Sequence, residues 1–395
     1  MKGWILALGL IYLIALEILR VYFIMPFPGS QQTNTINIAY FIDRNIIWLR
    51  LVGFAIIILP LLSVLKQSKV WKKVLVVLVL IFYGFVAYQF NFKFLADKMF
   101  YQPKNKLLIS AALDTTNMNH LIIGVSVNNE AKAYPIEVIG YHHQVRDTIG
   151  GEPVMITYCT VCRTGRAYSP YVNGKLENFR LVGMDHFNAM FEDATTKSWW
   201  RQESGEAIAG PLRGTLLKEI PSQQMALGDW LAMHPNSYIL QPDSNFKKEY
   251  ADLKGYDIDT LKSGLEKRDS ASWKMKSWVI GVNVNNHSKA YDWNELVRKN
   301  IIEDSFANTP ILLTIKRDER SFFVLNRNTY KGILQFTYDS IKQVLYDANT
   351  QSIWSINGIC VDGAMKGDRL QTVQAYQEFW HSWKQFHPQT GRFSN

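Results

Sequence analysis

Ile123-Gly124-Val125-Ser126-Val127-Asn128-Asn129, followed by Lys132-Ala133-Tyr134, returns 157 residues later as Ile280-Gly281-Val282-Asn283-Val284-Asn285-Asn286 with Lys289-Ala290-Tyr291. The matches continue down the chain. Asp193 and Trp200 recur as Asp347 and Trp354, an offset of 154, and Gly210 and Gly214 recur as Gly363 and Gly367 at 153. Trp230, His234 and Pro235 recur as Trp383, His387 and Pro388 at the same 153. Order is kept while the offset drifts by four residues, so the pattern reads as a tandem duplication with a domain-sized period, not a solenoid. Within each copy the signals are those of short strands. Leu121 to Val127 alternates, Asn128-Asn129 marks a turn, and Lys132 to Pro135 begins the return strand. Further strands are expected at Pro153–Tyr158, Gly165–Tyr171 and Lys175–Val182, with Asn173-Gly174 as a hairpin turn. Helical signals are confined to Pro135–Gly140 and Met225–Met233. The fold class is therefore α+β, mainly antiparallel β.

The stretch before the repeats is of another kind. Three apolar runs, at about 4–24, 46–65 and 74–94, are each long enough to cross a bilayer. No small-x-small cleavage site follows the first, so it reads as a retained helix. Glu17 and Arg20, three residues apart, are expected to neutralise each other, and Pro60 is a tolerated kink in the second run. Lys66, Lys69, Lys72 and Lys73 crowd the connection between the second and third runs. That charge should stay cytoplasmic. With three spans, the N-terminus is then inside and the large domain outside, in the periplasm of a bacterial inner membrane. The expected parts are a membrane anchor at 1–100, a first repeat at 101–245 and a second, degenerate repeat at 246–395.

The net charge of +9 belongs mostly to the anchor. Residues 1–100 hold ten basic and three acidic groups, leaving 33 basic and 31 acidic groups for the rest. The soluble part carries no basic stripe, so nucleic acid is not an expected partner. Lipid is. Three cysteines are too few for a disulfide scaffold.

The duplication acts as an internal control, since what both copies share is explained by the shared fold. The Asp193/Asp347 and Trp200/Trp354 pairs read as turn and core positions, and His234/His387 as helix C-terminal histidines. The reactive groups sit in the first copy alone. Cys159 and Cys162 align with Lys316 and Glu319, His142 and His143 with Lys299 and Asn300, and His186 with Ser340. Arg201, Gln202 and Glu203 are also peculiar to copy one. Cys360 is the exception, aligning with Ala207.

Tyr158-Cys159-Thr160-Val161-Cys162-Arg163-Thr164-Gly165 resembles the bacterial domain-of-unknown-function family 3179. The resemblance runs from about 121 to 240. It takes in Gly124-Val125, Ala133-Tyr134-Pro135, His142, Asp193 to Gln202, Gly205 to Leu212, and Trp230 with His234-Pro235. The commoner family pattern has Pro at the place of Thr160 and Gly at that of Arg163. The resemblance implies kinship and an extracytoplasmic habit, and no activity.

The C-x-x-C leaves several chemistries open. As a metal site, Cys159 and Cys162 would join His142 (or His143) and His186 around zinc, or copper outside the cytoplasm, with Cys360 as a reserve ligand. As a redox dithiol, the pair would use Arg163 and Arg166 to stabilise a thiolate, although the following residues read as strand and turn, not helix. A redox or metal-delivery partner would follow from either. The competing class is a non-catalytic ligand- or partner-binding module in which the cysteines form a structural disulfide. No Ser-His-Asp set and no phosphate-cradling loop is recognisable.

Overall fold

A computed structural model describes residues 2–261 and 263–394. The chain divides into two compact units, Met1–Tyr101 with Glu177–Leu216, and Gln102–Leu176 with Leu217–Asn395. This division cuts through the first repeat.

The first unit contains α1 (Lys2–Tyr22), α2 (Ile36–Gln67) and α3 (Val70–Phe92), each long and apolar enough to span a membrane. Their outer faces are bare hydrocarbon: Leu59 is 74% exposed and Ile81 64%. Such faces suit lipid, not water. α2 begins at Ile36 rather than near residue 46, and polar and aromatic side chains of its added turns find partners. Tyr40 stands edge-on to Trp199 at 5.1 Å, and Arg44 reaches Glu192 at 4.0 Å. α3 begins at Val70, so Lys72 and Lys73 lie in its first turn and not in a loop.

The Glu17–Arg20 pair expected from sequence does not form as such. Glu17, fully buried, receives Arg50 Nε and Nη2 at 2.7 and 2.6 Å and Asn91 Nδ2 at 2.8 Å. Arg20 instead bonds Asp43 at 3.0 Å and Asn91 Oδ1 at 2.6 Å. A neighbouring helix offers a carboxylate better geometry than the crowded surface of its own helix, and in a dry environment the better-solvated pairing wins.

An antiparallel sheet completes this unit, in the order Ala207–Ala209, Trp199–Arg201, Asn188–Asp193, Phe179–Asp185. Met184 N–H donates to the Ile24 carbonyl at 2.7 Å, just beyond α1. The approach is so close that a Cβ on Gly183 would lie 2.2 Å from that oxygen.

In the second unit, the first central sheet runs Leu108–Ser110, Tyr238–Leu240, Glu130–Pro135, Leu121–Val127, Ser222–Ala226. Its counterpart runs Gly391–Arg392, His287–Asp292, Trp278–Val284, Ala375–Phe379. In both, the third-from-last pair is parallel: Tyr238–Leu240 on Glu130–Pro135, and Gly391–Arg392 on His287–Asp292. The repeated glycines explain themselves here. Gly124 and Gly281 lie under the rings of Trp230 and Trp383, where a Cβ would come within 2.4 and 2.2 Å. His234 and His387 cap the two short helices, their rings tilted against those tryptophans at 4.1 and 3.9 Å. The Asp–Trp pairs are also shared, with Trp200 Nε1 on Asp193 at 2.9 Å and Trp354 Nε1 on Asp347 at 2.8 Å.

One core joins the copies within this unit. Ile122, Met225 and Trp230 pack in a single cluster with Leu312, Phe323 and Trp354. Cys360 lies in that cluster, its thiol donating to the Asp362 carbonyl at 3.3 Å.

Candidate functional site

Strand Glu152–Cys159 turns into strand Thr164–Tyr168, with Cys159 paired to Thr164. Thr160 to Arg163 form the loop, and Arg163 closes it at φ 57°. Cys159 and Cys162 therefore sit at the two sides of one hairpin turn. Both are buried thiols, 1% and 0% exposed. The Cys162 thiol hydrogen-bonds with Cys159 and lies beside Glu378 and Ser382. Burial, then Cys159, then Glu378 push it well above the ordinary thiol range, against the pull of Ser382. Neither cysteine begins a helix of its own, as a thioredoxin-like cysteine does; instead the short helix Trp380–Phe386 brings its N-cap residue Phe379 and its first-turn Ser382 to Cys162.

The second repeat closes over the turn, a part its sequence does not suggest. Phe379 N–H donates to the Cys162 carbonyl at 2.9 Å, and the His381 ring donates to the Val161 carbonyl. Burial and then the Lys276 charge hold His381 down to about 4. Lys276 itself lies within electrostatic reach of both sulfurs. The two arginines expected to favour a thiolate are committed elsewhere. Arg163 stacks 3.9 Å from the Trp278 ring and donates to the Tyr256 and Asp257 carbonyls at 3.3 and 3.4 Å. Arg166 bonds Glu378 at 3.2 Å and covers Tyr376. A planar guanidinium finds both an aromatic face and oxygen acceptors there.

The predicted histidines fall in two different compact units. His142 and His143 end the short helix Ile136–His142 at the same sheet edge as the cysteines: Tyr158 N–H donates to the His143 carbonyl at 2.9 Å. His143 Nδ1 meets the Tyr158 carbonyl at 3.2 Å, and burial lowers its pKa to about 4. His142 Nε2 is 2.7 Å from Tyr250 Oη. His186 belongs to the other compact unit. Its Nδ1 lies 2.8 Å from Asp185 Oδ1, and Arg201 takes the other oxygen at 2.7 Å. Burial works to raise Asp185, but His186 and Arg201 keep it below the usual carboxylate range. Gln202 and Glu203, in that same unit, bond Asn188 at 3.0 and 2.9 Å.

A cluster of different chemistry lies nearby in sequence. His120, Glu137 and Asp257 each present a ligand atom within 4.8 Å of the others, and could hold a metal ion. His120 Nδ1 is 3.1 Å from Asp257 Oδ2 and 3.7 Å from Glu137 Oε2. Hydrogen bonding to Asp257 raises His120 above its ordinary value, while burial raises Glu137. The internal control holds a signal for two of the three: at the offset of 157, His120 faces Ser277 and Glu137 faces Asn294. Asp257 lies in the segment between the repeats, where no counterpart exists to compare.

A cavity of about 270 Å³ also opens between the copies, lined by Gly124, Gln224, Trp230 and His234 on one side and Phe323 and Gln374 on the other. It is the space a ligand-binding module would use.

No curated protein and no solved structure matches the chain. A family model does match, described as a protein of unknown function, over residues 105–390. That range takes in both copies and the segment joining them, well beyond 121–240, so a single family unit includes the pair. The chain belongs to the DUF3179 family.

Proposed function

We propose that the chain is an anchored extracytoplasmic thiol protein whose working group is the Cys159–Cys162 dithiol. The observation that carries this reading is the hydrogen-bonded contact of the two thiols in one hairpin turn, beside a carboxylate. Oxidation would remove two electrons and two protons from the pair as the S–S bond forms, and a disulfide-bearing partner would be reduced to two thiols. Glu378 is the group placed to receive the Cys162 proton. Burial means that a protein partner reaches the sulfurs only after the Phe379–Ser382 segment lifts. The orientation that supports the reading has Lys2 with Lys66, Lys69, Lys72 and Lys73 on the cytoplasmic side. Gly3 and Trp4 share one groove with Val64, Trp71 and Lys72, so these lysines and the start of α1 lie at one end of the helices; the orientation itself rests on the positive charge. The large domain is then periplasmic, on a bacterial inner membrane.

A second reading is favoured by that same burial. Closed, buried sulfurs in one hairpin turn suit a resident zinc or copper ion, with His142 and His143 as the nearest histidines in the sequence, since structural metal sites exclude water. Thiol counting and elemental analysis of the detergent-solubilised chain separate the two. One disulfide that forms and reduces reversibly between Cys159 and Cys162 supports the first. Stoichiometric zinc or copper that disappears in Cys159→Ser supports the second. Two thiols that resist mild oxidants and hold no metal defeat both and leave the ligand-binding module.

A further inference from the structure

We propose that His120, Glu137 and Asp257 form a site for a hard or borderline divalent cation of the Mn²⁺, Fe²⁺ or Zn²⁺ type, which ties the inter-repeat segment to the first repeat. The proposal is independent of the cysteine chemistry above.

The three ligands come from three separate stretches. His120 precedes strand Leu121–Val127, Glu137 lies on helix Ile136–His142, and Asp257 follows helix Lys247–Asp252. One imidazole with two carboxylates is a mixed nitrogen and oxygen donor set, which suits these ions better than copper(I). Each carboxylate is already steered by a backbone amide. Gly255 N–H donates to Glu137 Oε1 at 3.0 Å, and Leu121 N–H to Asp257 Oδ2 at 2.9 Å. Such outer bonds orient metal ligands.

A second observation points to a missing partner. The Asp257 side chain is only 5% exposed, yet its Oδ1 is buried with no hydrogen-bond partner among the described residues. A buried carboxylate oxygen without a donor is costly, and a cation satisfies it directly. The competing arrangement is an ion pair in which protonated His120 bridges the two acids. Arg320 and Lys254 are the further charges facing the cluster, acting on His120 and Glu137 respectively. Arg163 touches only the Asp257 backbone carbonyl.

Mn²⁺ is the selective probe, because it avoids thiolates and its unbound form gives a strong paramagnetic resonance signal. The detergent-solubilised full chain, with Cys159 and Cys162 both changed to Ser, is titrated with MnCl₂. The expected result is one saturable site, a rise in unfolding temperature, and at least a tenfold loss of affinity in Asp257→Asn. That variant keeps an acceptor for Leu121 N–H. Glu137→Gln, at a more exposed position, should weaken binding without unfolding the chain. Absence of saturable Mn²⁺ and Zn²⁺ binding at millimolar concentration overturns the proposal. So does a site that Asp257→Asn and Glu137→Gln both leave unchanged. In either case the cluster is an ion pair only.

Discussion

Cys162 has a measurable signature at the scale of one residue. A thiol raised by burial, by its bond with Cys159 and by Glu378 stays protonated near neutrality, and only the thiolate alkylates. Iodoacetamide should therefore modify Cys162 with a midpoint well above the ordinary thiol value of about 8.5. Opening the Phe379 contact should bring that midpoint down. Rapid alkylation at pH 7 in the intact protein would contradict the buried geometry. His143 and His381 make a second prediction. Both have folded-state values of about 4, against about 6.5 when unfolded. Between those values the unfolded chain binds protons that the folded chain refuses. Stability is then complete above roughly pH 6.5 and is lost as pH falls toward 4, by about 1.4 kcal/mol per pH unit for each histidine. His143→Asn should flatten part of that slope in urea titrations between pH 7 and 4.

At the scale of elements, much could be read directly from residues. Leu121 to Val127 is a strand over its predicted range, and the Asn173-Gly174 turn joins Tyr171–Val172 to Lys175–Leu176. Alternation and turn chemistry are local, and local rules decide them. The expected strand at 175–182 is instead two, ending at Leu176 and restarting at Phe179, because tertiary pairing partners change between them. The candidate site was legible only in part. The hairpin carrying Cys159 and Cys162 was visible, whereas Glu378, His381 and Ser382 reach it through long-range packing that no spacing records. Asp257 was hidden in an unrepeated segment. The glycine–tryptophan pairs give a test at this scale. Gly124→Ala or Gly281→Ala drives a Cβ into the facing indole and should cost about 1–3 kcal/mol, as overpacking does. Gly84→Ala, with open space around its position, is the control. A neutral thermal melt for both test variants would remove the indoles from these strands.

For the whole molecule, the decisive interactions lie in the anchor. Glu17 is fully buried and answered by Arg50 and Asn91. Removing one partner of such a pair typically costs roughly 3–5 kcal/mol. Arg50→Ala should sharply lower the yield of folded protein in detergent, and adding Glu17→Gln should restore much of it. If the double variant is no better than the single, the pair is not what joins these helices.

That same pair bears on how the chain enters the membrane. During synthesis α1 emerges first, carrying a carboxylate whose counter-charge on α2 has not yet been made. An isolated acidic side chain costs about 2.5–3.5 kcal/mol at the centre of a span on insertion scales, an upper bound for Glu17, which lies toward the far end of α1. Helix one thus has reason to linger at the exit of the insertion machinery until helix two arrives, and the two should leave together as a hairpin, with Asn91 of α3 locking the bundle afterwards.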